Sequence, residues 1–119
     1  MNANEMKIRT KSFALRIIKL VNLLPKGRAS DVIGRQLLRS GTSVGANYRA
    51  ACRAKSPADF INKMAIVEEE ADESIFWMEL LVDSGLVNEQ RIKDLMVEAN
   101  EVLAITVASI NTSRKRVKS

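Results

Sequence analysis

Residues 56–85 read SPADFINKMAIVEEEADESIFWMELLVDSG, and this stretch decides the fold. Ser56, Pro57 and Asp59 have the form of a helix N-terminus: a hydroxyl able to accept from an amide three residues on, a proline where its missing N–H does no harm, and a carboxylate in the first turn. Phe60, Met64, Val67, Ala71, Ile75 and Met78 then recur every three or four residues, the period of one helix face. Gly85 supplies the left-handed residue that commonly closes such a helix.

The same rhythm extends in both directions. A first helix is expected from about Met6 to Leu24, with Phe13, Ile17, Leu20 and Leu24 on one face, stopped by Pro25-Lys26-Gly27. Ser30 or Asp31 can cap a second helix reaching about Lys55, whose inner positions are Ile33, Leu37, Gly41, Val44, Tyr48 and Cys52. Gly41 and Gly45 inside it cost about 1 kcal/mol each relative to Ala, which predicts close backbone approach to a neighbouring helix. Asn88 caps a fourth helix, with Val87 and Ile92 placed for a hydrophobic staple and Ile92, Met96, Ala99, Leu103 and Ile110 on its inner face. The expectation is all-α: one antiparallel up-down-up-down four-helix bundle over residues 1–113, followed by a basic, disordered tail at residues 114–119.

Bulk composition limits the chemistry. A chain of 119 residues suits a single domain, and 46% hydrophobic with 28% charged residues is the balance of a folded one. Cys52 is the only cysteine, which excludes an intrachain disulfide and suits a reducing compartment. Arg16 and Lys19 interrupt the first apolar stretch, so neither a signal peptide nor a membrane span is expected, and the expected location is cytoplasmic. Histidine is absent, which removes the commonest general base and the E-x-x-H pair of bundle dimetal sites, even though Glu68-Glu69-Glu70-Ala71-Asp72-Glu73 is rich in carboxylates. No catalytic constellation is visible, so the chain is not expected to be an enzyme or to hold a metal or cofactor.

The net charge of +5 conceals a sorting of charge along the chain. Residues 1–55 hold 12 Lys/Arg against 2 acids, residues 56–113 hold 3 against 12, and residues 114–119 hold 4 against none. Such sorting is expected where one helix surface meets another of opposite sign, or an external polyanion. On a helical wheel Arg35, Arg39, Arg49 and Arg53 fall within about 80° of one another, opposite the apolar face of the second helix. The planar guanidinium fork can donate two hydrogen bonds to one phosphate, so this ridge is the candidate nucleic-acid-binding surface. Pairing with the acidic third helix of a neighbouring subunit, or plain solvation, are the structural alternatives. Beside the ridge, Gln36, Ser40, Ser43 and Asn47 form a polar seam suited to fixing helix register.

The third helix also carries a second apolar face. Ile66, Phe76, Trp77 and Leu80 lie roughly opposite its core stripe, interleaved with Glu69 and Glu73. A helix apolar on two sides cannot hide both within one four-helix bundle, so these six residues are the expected oligomer interface. The structural alternative is that Phe76 and Trp77 cover the edge of the core.

The stretch Gln36-Leu37-Leu38-Arg39-Ser40-Gly41-Thr42-Ser43-Val44-Gly45-Ala46-Asn47, followed by Ala58-Asp59-Phe60-Ile61-Asn62-Lys63, resembles the signature of a bacterial four-helix bundle family. That family was first noticed in open reading frames within intervening sequences of large-subunit ribosomal RNA genes, and is often labelled an S-twenty-three-type ribosomal protein. The resemblance runs from the first helix to the end of the third. It implies a four-helix protomer assembling as a homo-oligomer, a pentamer, with a positively charged surface. The chain is also similar to the accessory variability determinant of diversity-generating retroelements, a resemblance that implies nucleic acid and a nucleic-acid-handling protein such as a reverse transcriptase as partners. Many relatives carry Glu three residues after the motif asparagine; here Ala50 stands there and Arg49 precedes it, which makes the second helix more basic. The combined expectation is an oligomeric nucleic-acid-binding or accessory protein engaging RNA or DNA phosphates. The alternative is a protein–protein interaction scaffold with no nucleic-acid contact.

Overall fold

The computed structural model describes residues 1–118, which form four α-helices: α1 (Ala3–Asn22), α2 (Arg28–Ala51), α3 (Pro57–Asp83) and α4 (Glu89–Lys118). No strand occurs among the described residues, and no helix is long and apolar enough to cross a membrane.

The clearest local signals produce the geometry expected of them. Ser56 Oγ accepts the Asp59 amide at 3.0 Å, and Asp59 Oδ2 accepts the Lys55 amide and the Lys63 ammonium, each at 3.0 Å. Gly85 adopts φ +80°, and the Leu86 and Val87 amides turn back onto the Leu81 carbonyl. Asn88 Oδ1 accepts the Gln90 amide at 2.8 Å, while Val87 and Ile92 are both buried.

Several boundaries differ from expectation. Helix α2 ends at Ala51, not at about Lys55, so Arg53 lies in the turn beyond it. Helix α1 starts at Ala3, because Asn2 caps it reciprocally: its Oδ1 accepts the Glu5 amide at 2.9 Å and its Nδ2 donates to Glu5 Oε1 at 2.7 Å. Helix α2 starts at Arg28 instead of after a Ser30 or Asp31 cap. Gly27, at φ +151°, takes the N-cap position with no side-chain bond, and the Asp31 amide bonds the Gly27 carbonyl at 3.0 Å. Ser30 is thereby drawn into the first turn and buried, its Oγ without a hydrogen-bond partner among the described residues. Helix α4 does not end where a disordered tail was expected to begin after residue 113, but continues through Lys118. Cations in its last turns sit favourably against the negative end of the helix dipole. The final residue of the expected tail, Ser119, lies outside the described residues.

Each helix sends its apolar stripe inward. Phe13 and Ile17 of α1, Leu37 and Val44 of α2, Met64 and Met78 of α3, and Ile92 and Val102 of α4 are all fully buried. The packing is uneven: α2 against α3 is the most extensive contact and α1 against α4 the slightest. That light seam is closed by Arg9, whose Nε and Nη2 donate to the two oxygens of Glu98 at 2.7 Å each, with Glu101 as a further partner. The Glu98 carboxylate foremost, then Glu101, hold the guanidinium well above its already high ordinary value, so it stays charged at every accessible pH.

Between α1 and α2 the spacing is set by missing side chains. A Cβ at Gly34 would meet Leu24 and Val21, one at Gly41 would meet Ile17, and one at Gly45 would meet the Thr10 backbone. The contacts thus step back down α1 as α2 advances. At Gly41 the added atom would lie 2.8 Å from both Cγ1 and Cγ2 of Ile17, a fully buried β-branched side chain that cannot rotate away.

Gly41→Ala is therefore expected to destabilise the protein, overpacking costing about 1–3 kcal/mol against a helix-propensity gain of about 1 kcal/mol, seen as a lower urea midpoint. Gly34→Ala should be neutral or stabilising, since its Cβ meets the flexible end of Leu24 at 3.2 Å and Val21 only at an ordinary contact distance of 3.5 Å. A second expectation concerns acid. The Lys55 amide foremost, then the Lys63 ammonium, hold the Asp59 carboxyl below the usual aspartate range. A depressed folded value means that this stabilisation is present above the ordinary aspartate value of about 3.9 and is lost as pH falls through the folded one. The thermal midpoint of Asp59→Asn should lie below that of the parent at neutral pH, and the gap should close below about pH 4.

Candidate nucleic-acid interface

Arg35, Arg39 and Arg49 of α2 and Arg53 in the turn after it point outward but do not share surroundings. Arg39 leans toward α3, where Nη1 meets Glu70 Oε2 at 3.0 Å, Nη2 meets Glu73, and Nε donates to Gln36 Oε1 at 3.2 Å. Glu73 in turn accepts the Trp77 indole N–H at 3.0 Å, and the Trp77 ring meets Phe76 edge-on at 5.0 Å. Arg35, Arg49 and Arg53 are exposed and form no ion pair among the described residues. Arg39 is thus paired with the third helix of its own chain rather than of a neighbouring subunit, and the other three form no ion pair within the chain among the described residues.

Arg49 leans the opposite way, toward α1. With Lys7, Lys11, Thr42, Gly45 and Ala46 it lines a groove of about 390 Å³, and no carboxylate lines that groove. Gly45 is what brings the two helices together here, its Cα side lying against the Thr10 backbone. Lys7 and Lys11 were not among the expected contacts. Their signal was the spacing of four, and the stripe continues to Ala14 on α1, lining the same groove. Arg35 stands near the far end of the helix beside Lys26 and Asp31, so the ridge from Arg35 to Arg53 spans about 27 Å at 1.5 Å per residue.

The polar seam divides similarly. Ser40 is buried, and the Ser74 hydroxyl of α3 donates to its Oγ at 2.9 Å, which fixes the α2–α3 register. Ser43 Oγ donates to the Arg39 carbonyl at 2.6 Å and Asn47 Nδ2 to the Ser43 carbonyl at 2.8 Å, so these two bond their own helix. Gln36 orients Arg39. Beyond the seam, burial pushes the Tyr48 phenol up to about 12, helped by the adjacent Cys52, so Tyr48 is neutral across the physiological range.

On α3, Ile66 and Phe76 stay 42% and 49% exposed, and Glu69 is exposed beside them. Glu73, Trp77 and Leu80 are half-buried, Trp77 packing against the edge of the core. Helix α1 exposes more apolar surface than the sequence suggested, with Ile8 at 71% and Leu15 at 58%. What the arrangement can do chemically is present unpaired cations along α1 and α2 while α3 and α4 carry the acids.

Comparison with known proteins agrees with this architecture. No curated protein matches the chain. The crystal structure of a Bacteroides thetaiotaomicron protein of unknown function, from the S23 ribosomal protein family, superposes with a TM-score of 0.86 at 36% sequence identity, covering 93% of this chain and 99% of that one. Residues 3–108 match the family described as 23S rRNA-intervening sequence protein. With that match covering most of its length, the chain belongs to the 23S rRNA-intervening sequence protein family.

Proposed function

We propose that the chain is a non-enzymatic nucleic-acid-binding protein of the cytoplasm, an antiparallel up-down-up-down protomer that assembles into a homo-oligomer, a pentamer. The observation that carries this reading is the set of cations on α1, on α2 and in the turn after it, Lys7, Lys11, Arg35, Arg49 and Arg53, none of which has a carboxylate partner among the described residues. Charges left unpaired along a rod some 51 Å long suit a polyanion with regularly spaced phosphates. Arg39 contributes to the same field while being held in place by Glu70 and Glu73. Assembly is supported by the exposed Ile66 and Phe76 on α3, interleaved with Glu69 and flanked by Glu73, Trp77 and Leu80.

A second reading is a scaffold that contacts only protein, such as a reverse transcriptase or another nucleic-acid-handling enzyme. Arg39 favours it, because its charge is already matched inside the chain.

Replacing Arg35, Arg49 and Arg53 together by alanine should weaken RNA or DNA binding and lower the slope of log affinity against log salt by about 2.7 on duplex, at about 0.9 per phosphate contact. Unchanged affinity and slope would favour the scaffold. For assembly, light scattering should give about 66 kDa, five copies of the 13.2 kDa chain. Ile66→Glu combined with Phe76→Glu should lower that mass while the helical circular dichroism is kept. A parent protein of monomer mass would refute the oligomer.

A further inference from the structure

All four helices contribute to one end of the bundle, which the ridge on α2 does not describe. Ala3 of α1, Tyr48 and Cys52 of α2, Phe60 of α3 and Arg116 of α4 line one cleft there, of about 540 Å³. A second cleft of about 700 Å³, lined by Met1, Ile105, Ser109 and Thr112, adjoins it. Phe60, Ser113 and Arg116 belong to both, so the half-buried Phe60 ring stands at their common wall. Each cleft is within the size range of small-ligand sites.

The rim is cationic. Arg116 lines both clefts, Arg53 and Lys55 alternate along the chain with the cleft-lining Cys52, Ala54 and Ser56, and Lys118 follows the cleft-lining Val117; all four are exposed. The nearby acids are engaged locally: Glu5 with Asn2, and Asp59 with Lys63 and the Lys55 amide. Duplex phosphates alone would need no apolar clefts, whereas flat apolar slots beside an aromatic ring, bordered by cations, are what unstacked bases require. The Ser109, Thr112 and Ser113 hydroxyls that line the clefts can exchange hydrogen bonds with a ribose 2′-hydroxyl.

We propose that this end of the bundle binds single-stranded RNA, with one base lodged on each side of the Phe60 ring and the flanking phosphates taken by Arg53, Lys55 and Arg116. The proposal rests on the reading of the chain as a nucleic-acid binder and assigns that reading a strand type and a place.

The test is fluorescence anisotropy of the full chain with a labelled 12-nucleotide oligouridylate, the matching oligodeoxythymidylate, and a duplex RNA. The parent protein should bind the oligouridylate most tightly. Phe60→Leu should weaken that binding by about tenfold or more and leave duplex binding unchanged, while Phe60→Tyr should retain the affinity. Arg116→Gln should lower the single-strand salt slope by about 0.7. Because Cys52 lies in the cleft and is the sole cysteine, its alkylation by iodoacetamide should slow when oligouridylate is bound, a readout independent of any variant. Oligouridylate affinity of Phe60→Leu within twofold of the parent, undiminished Cys52 alkylation, or equal affinity for DNA or duplex would each overturn the site while the nucleic-acid reading stands. Displacement of the RNA by polyglutamate as readily as by unlabelled RNA would point to a protein occupant and overturn it as well. A parent protein that binds none of the three oligonucleotides at low salt would remove both readings together.

Discussion

The close approach of α1 and α2 at Gly41 and Gly45 is the contact on which the rest of the molecule depends. With no Cβ at either position, α2 settles against the Ile17 side chain and the Thr10 backbone, and the two helices share one face instead of two. Lys7 and Lys11 thereby come to line the same groove as Arg49. A larger residue at either glycine would open that groove and separate cations whose joint field is the protein's main chemical resource. The helix-propensity penalty of two interior glycines is thus offset by packing that no other residue permits.

Charge sorting works with this geometry. The acids of α3 neutralise one flank of α2 through Arg39, Glu70 and Glu73, and the same Glu73 orients Trp77. The acids of α4 fix α1 through Arg9 and Glu98 across the most lightly packed seam. Both clasps bring opposite charges from distant parts of the chain together, and both leave the α1–α2 side positive. One pairing therefore serves stability while its absence elsewhere leaves charge available for a partner.

Much of this was legible in the sequence where the determinants are local. The start of α3 is written in Ser56, Pro57 and Asp59, and its end in Gly85, because caps act within four residues. The start of α2 was not legible, since Gly27 caps it through the backbone alone, and the side chains that invited a cap at Ser30 and Asp31 lie inside the first turn. The wheel placed Arg35, Arg39, Arg49 and Arg53 on one side of α2 but could not say which neighbour each would meet. Arg39 meets acids on α3, whereas Arg49 lines a groove with Lys7 and Lys11, a difference set by helix packing rather than by spacing. The run Arg114–Lys118 read as a solvated tail because like charges repel, yet it continues α4 and delivers Arg116 to a cleft with Phe60.

Hydrogen–deuterium exchange of the assembled protein with and without a bound oligonucleotide tests the central claim, that Lys7, Lys11, Arg35, Arg49, Arg53 and Arg116 form the nucleic-acid surface. Slowed exchange confined to the N-terminal half of α1, to α2 from Arg35 onward with the turn that carries Arg53, and to the last turns of α4 is the predicted result. Protection centred on the opposite end, around Asp83–Asp94, or none at all under conditions of saturated binding, would contradict it.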